Sequence, residues 1–465
     1  MTVSRRDVEK VVREVVTRLN AGPESEQLKD LTAVDQAVDR ARAAYDAYSG
    51  MGLDKRYEVV AAMREAAKTH VKEFAAHAVR DTGMGRVEDK VQKNLLAIVK
   101  TPGPEVLAPR ARTGDHGLML TERAPHGVIG AITPSTNPTE TVINNAISML
   151  SGGNGVVFNA HPSAAACSQE CIDVLDEAIV NAGGPPGLVT GVASPSVETA
   201  TVLMGHAGIA LLCVTGGPNV VKAAMLSGKR VVAAGPGNPP VVVDETADLE
   251  KAARSTVKGA SIDNNLICTS EKVAVIVQGI ADEWKRLMVR EGCFEVTGRD
   301  RDRLFDVIFR AADGRHAVIN KECIGQHASA ILARAGISAP EDTRLALVEV
   351  DSGHALAWTE QLMPVLPIVR VPDVDAAIDL ALEYEGGRRH TAVMHSRNID
   401  KLSKMARLVN CSVFVKNGPS LAGLGMGGEG FTSFTIASPT GEGMTNAESF
   451  TRLRRCTLVD AFRIV

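Results

Sequence analysis

Gly127-Val-Ile-Gly-Ala-Ile132 opens the most regular pattern in the chain, because a helical segment from Thr139 to Leu150 and a second apolar run, Gly155-Val-Val-Phe158, follow it. Three more short apolar runs continue the pattern at Leu188–Val192, Ala210–Val214 and Arg230–Ala233. Helical stretches separate them at Ala164–Asn181, Ser196–Met204 and Asn219–Ser227. Strands that alternate with helices predict a parallel sheet with crossover helices, the α/β architecture that binds dinucleotides.

The chain before this unit is mostly helical. The spacing predicts helices at Ala33–Tyr48, Lys55–Arg80 and Val87–Val99, and then a hairpin from Arg110 to Arg123. Further towards the N-terminus, Val8 to Leu19 carry valines and leucines at helical spacing opposite a charged face. Residues 21–31, which include a Gly-Pro step, are predicted to be a linker. An amphipathic helix on a linker is expected to dock on the body of the protein or on a partner.

A second α/β unit is expected to begin near Pro240. It contains predicted helices at 248–260, 281–291 and 301–311, and strands at 272–277, 345–350, 368–371, 391–394 and 412–415. The glycine-rich segment from Gly418 to Gly430 is predicted to be an irregular loop. The tail from Arg452 to Val465 is predicted to be a strand.

The stretch Asp263-Asn-Asn-Leu-Ile-Cys-Thr-Ser-Glu-Lys272 places Cys268 between two turn-prone asparagines and a buried strand. A thiol on a loop that leads into a strand is held rigidly and can face a cleft. The alternative is a core cysteine, because free cysteines are among the residues most often buried.

Composition narrows the class of protein. A chain of 465 residues is expected to form two or three domains, and a net charge of −4 argues against a basic surface for nucleic acid. The sequence contains no apolar run of about 18 residues and no secretory signal, which predicts a cytoplasmic protein without membrane contact. The eight cysteines form no Cys-x-x-Cys pair, so neither a disulfide framework nor a metal site is predicted.

Five motifs in order resemble the aldehyde dehydrogenase superfamily from about Thr32 to the end of the chain. Within it the chain resembles the CoA-acylating branch, and most of all the propionaldehyde dehydrogenases of bacterial microcompartments. The motifs are the thiol stretch itself, Thr133-Pro-Ser-Thr-Asn-Pro138, Asn181-Ala-Gly-Gly-Pro-Pro-Gly-Leu-Val189, Val214-Thr-Gly-Gly217 and Glu360-Gln-Leu-Met-Pro-Val365. Gly217 departs from the family pattern, which has a serine there.

The resemblance implies a domain organisation. Residues 32–108 and 124–239 correspond to the family's Rossmann-like domain for NAD and CoA, and residues 240–444 to its catalytic domain. Residues 109–123 and 445–465 correspond to a small β element through which family members form oligomers. A homo-oligomer is therefore expected, with dimer and tetramer both open. Residues 1–20 resemble an encapsulation peptide, which implies that residues 5–19 contact a microcompartment shell protein.

The resemblance also implies site residues. Cys268 is the expected nucleophile, and the Asn137 amide with the Cys268 backbone N–H is expected to stabilise the oxyanion. Glu360 is expected on the nicotinamide ribose. The other cofactor contacts are expected among Thr133, Pro134, Ser135, His161, Thr215 and Gly216. Each assignment has an alternative: Asn137 as a helix cap, Glu360 as a solvated carboxylate, and His161 as a core or surface residue.

The choice of acyl acceptor depends on Ala233. Hydrolysing members of the superfamily carry a glutamate base where Ala233-Ala-Gly-Pro-Gly-Asn-Pro239 stands, and Ala233 aligns with that glutamate. Without a general base, water attacks the acyl-enzyme about 10² to 10⁴ times more slowly. The acyl-enzyme is therefore expected to survive until a thiol attacks it.

The sequence thus predicts a ping-pong reaction of propionaldehyde, NAD⁺ and CoA. Acetaldehyde is the close alternative substrate. A hydrolysing enzyme with another base and a non-catalytic structural or cargo-adaptor protein are weaker alternatives.

Overall fold

The computed structural model describes residues 24–465, with side chains from residue 30 onward. The amphipathic helix predicted at 5–19 lies outside the described residues. Helix α1 spans Glu24–Ser49 and therefore begins inside the predicted linker 21–31, which is a correction. The Glu, Gln, Leu and Lys residues of this segment favour helix, which outweighs its polar character.

Three more helices precede the first strand: α2 (Leu53–Thr69), α3 (Val71–Thr82) and α4 (Val87–Lys100). The predicted single helix from Lys55 to Arg80 is thus two helices. The break lies at His70, which is flanked by the β-branched Thr69 and Val71; all three are weak helix formers. Gly83 at φ +68° ends α3 with the left-handed conformation that suits glycine.

A five-stranded parallel sheet forms the predicted cofactor-binding unit. Its elements in chain order are β3 (Val128–Ile132), α5 (Pro138–Ser151), β4 (Gly155–Asn159), α6 (Ala165–Asn181), β5 (Val189–Gly191), α7 (Val197–Gly205), β6 (Leu211–Thr215), α8 (Pro218–Met225) and β7 (Val231–Ala234). The spatial order is β5-β4-β3-β6-β7, all parallel. The winding reverses between β3 and β6, which is where dinucleotides bind in open sheets of this kind.

A seven-stranded parallel sheet forms the second unit, with spatial order β10-β13-β14-β9-β8-β15-β16. Its strands are β8 (Pro240–Val243), β9 (Val273–Val277), β10 (Cys293–Val296), β13 (Leu345–Glu349), β14 (Val365–Val371), β15 (Thr391–His395) and β16 (Val413–Lys416). Its helices are α9 (Leu249–Ser261), α10 (Ala281–Arg290), α11 (Arg299–Ile308), α12 (Ala328–Arg334), α13 (Ala355–Trp358), α14 (Val374–Glu385) and α15 (Ile399–Val409).

The predicted helix 301–311 is wrong at its end. Helix α11 stops at Ile308, and a hairpin follows from β11 (Phe309–Asp313) and β12 (His316–Ile319). Asp313-Gly314 lies at its tip with Gly314 at φ +54°, and an Asp-Gly pair favours the tight turn of a hairpin. The predicted loop 418–430 contains a short 3-10 helix, Ser420–Leu424. A small antiparallel pair, β17 (Ile436–Ala437) and β18 (Gly443–Met444), comes after that segment.

The remaining sheet joins two distant parts of the chain. The hairpin β1 (Arg110–Gly114) and β2 (Gly117–Pro125) pairs with the tail strand β19 (Thr451–Val459) in the order β1-β2-β19. Strand β19 runs antiparallel to β2 over its full length. No helix in the described part of the chain is long and apolar enough to cross a membrane.

Candidate active site

The candidate site lies where two sheet edges meet. The carboxyl ends of β3, β6 and β7 lead to Thr133, Thr215 and Ala234. The segment 235–239 then runs directly to the start of β8. Lys272 N–H donates to Pro239 O at 2.8 Å, which joins the start of β9 to that segment. The carboxyl edge of the five-stranded sheet therefore meets the amino edge of the seven-stranded sheet.

The loop that carries Cys268 has an unusual backbone. Asp263, Asn264 and Asn265 have φ of +46°, +54° and +66°, a left-handed conformation that asparagine and aspartate tolerate better than most residues. Buried hydrogen bonds hold it in place. Asn264 Nδ2 donates to Gly325 O at 2.7 Å, and Asn265 Nδ2 donates to Ala260 O and Glu271 O. The sequence predicted the turn, and the structure shows that buried hydrogen bonds to three other backbone carbonyls hold it in place.

Cys268 is partly exposed, unlike five of the other seven cysteines, which are buried. Burial raises the pKa of its thiol to about 12, and the Glu360 carboxylate acts in the same direction. Lys272, its own backbone N–H and Lys93 oppose that rise. A backbone N–H beside the sulfur is in place to donate to an oxyanion that forms there. The partial exposure of Cys268 argues against the core-cysteine alternative.

Asn137 sits at the N-cap of α5 but makes no cap hydrogen bond. Its Oδ1 accepts from Lys93 Nζ at 2.6 Å, and its Nδ2 donates to Thr136 Oγ1 at 3.1 Å. The capping alternative is therefore excluded. The second Nδ2 hydrogen has no acceptor among the described residues, which leaves it available to a ligand.

Glu360 is not a solvated carboxylate. Its Oε1 accepts from the Gly237 N–H at 3.2 Å. Burial raises its pKa, while Lys272 and the Gly237 N–H act to lower it. Glu360 also raises the pKa of Cys268, so its carboxylate is near enough to the thiol to disfavour the thiolate.

The predicted cofactor residues gather at the carboxyl edge of the five-stranded sheet. Thr133 is buried, and its Oγ1 has no hydrogen-bond partner in the described structure, so it can bind a ligand. Pro134 and Ser135 follow it and are half-buried. The Thr215 hydroxyl bonds Thr435 Oγ1 at 2.8 Å, which leaves only part of its capacity for a cofactor.

The two remaining cofactor candidates flank that edge. Gly216 N–H donates to Ala234 O at 3.2 Å, and a side chain on Gly216 would meet Val220 at 2.7 Å. His161 is exposed beyond the end of β4, where its Nδ1 accepts from the Ser163 N–H at 3.2 Å. Its imidazole therefore caps a short turn, as the surface alternative expected.

Ala233 is fully buried in β7, and its backbone N–H donates to Thr440 Oγ1 at 3.0 Å. Its methyl group cannot accept a proton. The position that aligns with the glutamate of hydrolysing enzymes therefore has no general base. The described part of the chain contains no cluster of three His, Cys, Asp or Glu side chains that could hold a metal.

Two functional candidates were missed by the sequence analysis. A Cβ on Gly237 would lie 2.9 Å from Cys268 O and 3.0 Å from His390 Cγ, so His390 is a neighbour of the thiol loop. Its Nδ1 lies 2.9 Å from Thr391 Oγ1, and its Nε2 is buried without a partner. Burial lowers the pKa of His390 to about 4, which keeps the imidazole neutral at pH 7.

Lys272 is the second functional candidate that the sequence analysis missed. It is fully buried beneath the thiol loop, where Nζ donates to Asn265 O at 2.7 Å, and burial lowers its pKa to about 8. The only sequence signal for either residue was a titratable side chain at the start of a predicted strand.

Comparison with known proteins gives the family. The model of the aldehyde dehydrogenase family matches residues 24–436. The acetylating acetaldehyde dehydrogenase EutE of Salmonella typhimurium is 49% identical over all of both chains. The chain belongs to the aldehyde dehydrogenase family, so the predicted fold is confirmed.

Two solved structures resemble the chain closely. The propionaldehyde dehydrogenase of the Clostridium phytofermentans fucose-utilisation microcompartment superposes with a TM-score of 0.90 and 42% identity over 93% of this chain and 98% of that one. Rhodopseudomonas palustris propionaldehyde dehydrogenase with bound propionyl-CoA gives 0.90 and 45% over 92% and 94%. The predicted resemblance to the CoA-acylating branch is confirmed.

Proposed function

We propose that this protein is a CoA-acylating aldehyde dehydrogenase that converts propionaldehyde, a nicotinamide cofactor and CoA into propionyl-CoA, the reduced cofactor and a proton. The observation that carries the proposal is Ala233. A buried methyl group stands where hydrolysis needs a carboxylate, so the acyl-enzyme passes to a thiol. The EutE relative is an acetylating enzyme, and the Rhodopseudomonas palustris relative binds propionyl-CoA.

The first half-reaction uses the Cys268 thiol. The thiol releases its proton to solvent, the sulfur forms a bond to the aldehyde carbon, and the new oxyanion accepts from the free Asn137 N–H and the Cys268 backbone N–H. A bound nicotinamide cofactor would supply the hydride acceptor. Glu360 would hold its ribose hydroxyls, and the unpartnered Thr133 hydroxyl would offer it a hydrogen bond at the sheet edge. The product of this half-reaction is a thioester on Cys268.

The second half-reaction uses His390. Its buried Nε2 lacks a partner, and the imidazole is neutral, so it accepts the proton of the incoming CoA thiol. The CoA sulfur then forms a bond to the acyl carbon, the bond to Cys268 Sγ breaks, and the departing sulfur takes the proton back from His390. This step needs no activated water.

The first experiment measures NADH formation by the purified protein with NAD⁺ and propionaldehyde, with and without CoA. Many turnovers with CoA, at most one without it, and none for Cys268→Ala are expected. Equal turnover without CoA would mean that another group activates water, and the acylating function would be wrong.

Acetaldehyde is a second candidate substrate. The acetylating relative from Salmonella typhimurium matches the whole length of this chain at 49% identity, which favours a two-carbon aldehyde. One methylene changes selectivity by only about 1 to 3 kcal/mol, so both substrates are expected to react. The ratio of kcat/KM values for propionaldehyde and acetaldehyde decides which one is preferred.

We infer that the cofactor is NAD rather than NADP. A 2′-phosphate needs a cationic side chain near the end of the second strand, and Asn159-Ala-His-Pro-Ser-Ala164 after β4 contains neither lysine nor arginine. Asn159 is also engaged, since its Oδ1 accepts from Thr199 Oγ1 at 2.7 Å. A kcat/KM at least tenfold higher with NAD⁺ is expected, and a preference for NADP⁺ would contradict the inference.

We propose that the protein is cytoplasmic and works inside a bacterial microcompartment, and that residues 5–19 bind a shell protein. The microcompartment origin of one close structural relative supports this. Deletion of residues 1–20 is expected to leave kcat within about twofold and to abolish co-sedimentation with purified shells. Loss of activity in the truncated protein would instead mean that this segment packs on the enzyme.

A further inference from the structure

A fully buried group of four charged side chains lies behind the two elements of the reaction centre. Lys90 and Lys93 project from α4, Glu140 from α5, and Asp263 from the thiol loop, and all four are completely buried. Two cations and two anions give this group no net charge. The aldehyde chemistry described above uses none of them, and charged groups are buried only where partners compensate them.

Lys93 is the member that touches both elements. Its Nζ donates to Asn137 Oδ1 at 2.6 Å, lies 3.1 Å from Glu140 Oε1 and contacts Asp263 Oδ2. Burial opposes a charge on Lys93, but Asp263 and Glu140 outweigh it and raise its pKa. Burial likewise opposes ionisation of Asp263, but Lys90 and Lys93 outweigh it and lower its pKa. The lysine is therefore a cation and can only donate to Asn137.

Lys90 provides the contrast. Its Nζ donates to Asp263 Oδ2 at 3.0 Å and to the backbone carbonyl of Thr136 at 3.1 Å. It has no bond to the Asn137 side chain. The two lysines thus share Asp263 and differ in whether they contact the amide.

We propose that Lys93 is a positioning residue for the oxyanion site: by holding Asn137 Oδ1, it presents the Asn137 N–H to the acyl oxygen on Cys268 and fixes that amide relative to the thiol loop. The geometry carries this. An amide whose oxygen is bound to a cation cannot rotate without placing its own NH₂ group against that cation. The cation also draws electron density from the amide, which makes Asn137 Nδ2 a better donor. This inference rests on the proposed role of Asn137.

The test uses charge-balanced variants, because a lone substitution would leave a buried charge unpaired. Glu140→Gln with Lys93→Met and Glu140→Gln with Lys90→Met each remove one cation and one anion. The readout is the rate of the single-turnover NADH burst with NAD⁺ and propionaldehyde in the absence of CoA. Relative to the wild-type protein, the burst of the Lys93 pair is expected to slow at least tenfold, and that of the Lys90 pair at most threefold.

A double-mutant cycle separates positioning from general support of the fold. Asn137→Ala is expected to slow the burst about 10² to 10³-fold, the typical loss for one oxyanion donor. In that background Lys93→Met with Glu140→Gln should cost less than threefold, because no amide remains to be oriented. If the Lys93 substitution costs as much without Asn137 as with it, the positioning role is wrong.

Two further outcomes are distinct. A normal burst in Asn137→Ala would overturn the oxyanion assignment itself and this inference with it. A burst that is tenfold or more slower in the Lys90 pair would mean that the shared contact with Asp263 causes the effect. The proposed role of Lys93 would then be wrong. If the Lys93→Met pair does not fold, Lys93→Gln with Glu140→Gln replaces it, because glutamine keeps a polar donor there. Any slowing of the burst in this variant must also disappear when Asn137 is replaced by alanine.

Discussion

At the residue scale, the proposed role of His390 distinguishes the two half-reactions. Its imidazole borders the thiol loop through Gly237, and its Nε2 is buried and unpaired. The oxyanion that Asn137 is proposed to stabilise forms in both half-reactions, whereas a base for the CoA thiol is needed only in the second. Substitution of His390 should therefore affect the second half-reaction alone.

His390→Gln is expected to leave the NADH burst within about threefold and to lower CoA-dependent turnover by about 10² or more, since glutamine cannot accept a proton. Stopped-flow bursts and steady-state rates on the same preparation measure both. A burst that falls as much as turnover would place His390 in the first half-reaction.

A second prediction concerns His395. Burial, aided by Lys251, lowers its pKa to about 4, against about 6.5 in an unfolded chain. As the pH falls, the unfolded state takes up the proton first. The free energy of unfolding is therefore unaffected by His395 above about pH 6.5 and decreases as the pH drops towards 4. At pH 5 the loss is about 2 kcal/mol.

Urea unfolding at pH 7.5 and pH 5 measures this loss. His395→Gln should show about 2 kcal/mol less decrease between the two pH values than the wild-type protein, whose remaining decrease includes a similar contribution from His390. An equal decrease in both proteins would contradict the buried, neutral state of His395.

At the element scale, the thiol loop joins two sheets and helix α4. Arg86 Nε donates to Asn264 Oδ1 at 2.8 Å, and Asp263 Oδ1 accepts from the Arg86 N–H at 2.8 Å. Asp89 Oδ2 accepts from the Asp263 N–H at 2.8 Å. These bonds keep three successive residues left-handed, a conformation that costs energy for residues other than glycine.

Asn264 permits a matched comparison. Asn264→Ala loses the bonds to Arg86 and Gly325 and keeps the backbone strain, so a destabilisation of about 2 to 4 kcal/mol is expected. Asn264→Gly loses the same bonds but is unstrained at φ +54°, so it should be about 1 kcal/mol more stable than the alanine variant. Urea unfolding measures both, and an alanine variant that equals or exceeds the glycine variant would contradict the strain.

At the scale of the whole molecule, the sheet β1-β2-β19 leaves β19 at an edge. Leu453 and Val459 on that strand are more than half exposed. Exposed apolar side chains on a free sheet edge favour pairing with another chain. We propose that a second copy covers this edge, in agreement with the predicted homo-oligomer.

Sedimentation velocity tests the oligomer. The wild-type protein is expected to sediment as a dimer or tetramer, and Leu453→Asp with Val459→Asp as a smaller species, because buried carboxylates oppose association. Val318→Asp, on the exposed hairpin β11–β12, should leave the oligomer unchanged. A monomeric wild-type protein would contradict the predicted homo-oligomer.

The sequence by itself determined most of the elements and indicated Cys268 as the candidate nucleophile. Strand runs such as Val128–Ile132 and helices such as Pro138–Ser151 lie within two residues of their predicted bounds, because apolar periodicity is a local property of the chain. The motifs around Cys268 and Ala233 indicated an acylating enzyme for the same reason. Strand β8 and helix α14 were missed although their local signals are clear: β8 is the apolar run Pro240–Val243, and α14 follows the Asp373 cap and ends at Gly386.

Only the tertiary structure decided what surrounds that sulfur. Lys93 precedes Asp263 by 170 residues along the chain and Asn137 by 44, yet one amine bonds both. His390 immediately precedes β15, whereas ligands of open α/β sheets are expected to bind at the carboxyl ends of strands. Contacts of this kind arise when two sheets are packed edge to edge, and they depend on burial and desolvation, which no local pattern of residues records.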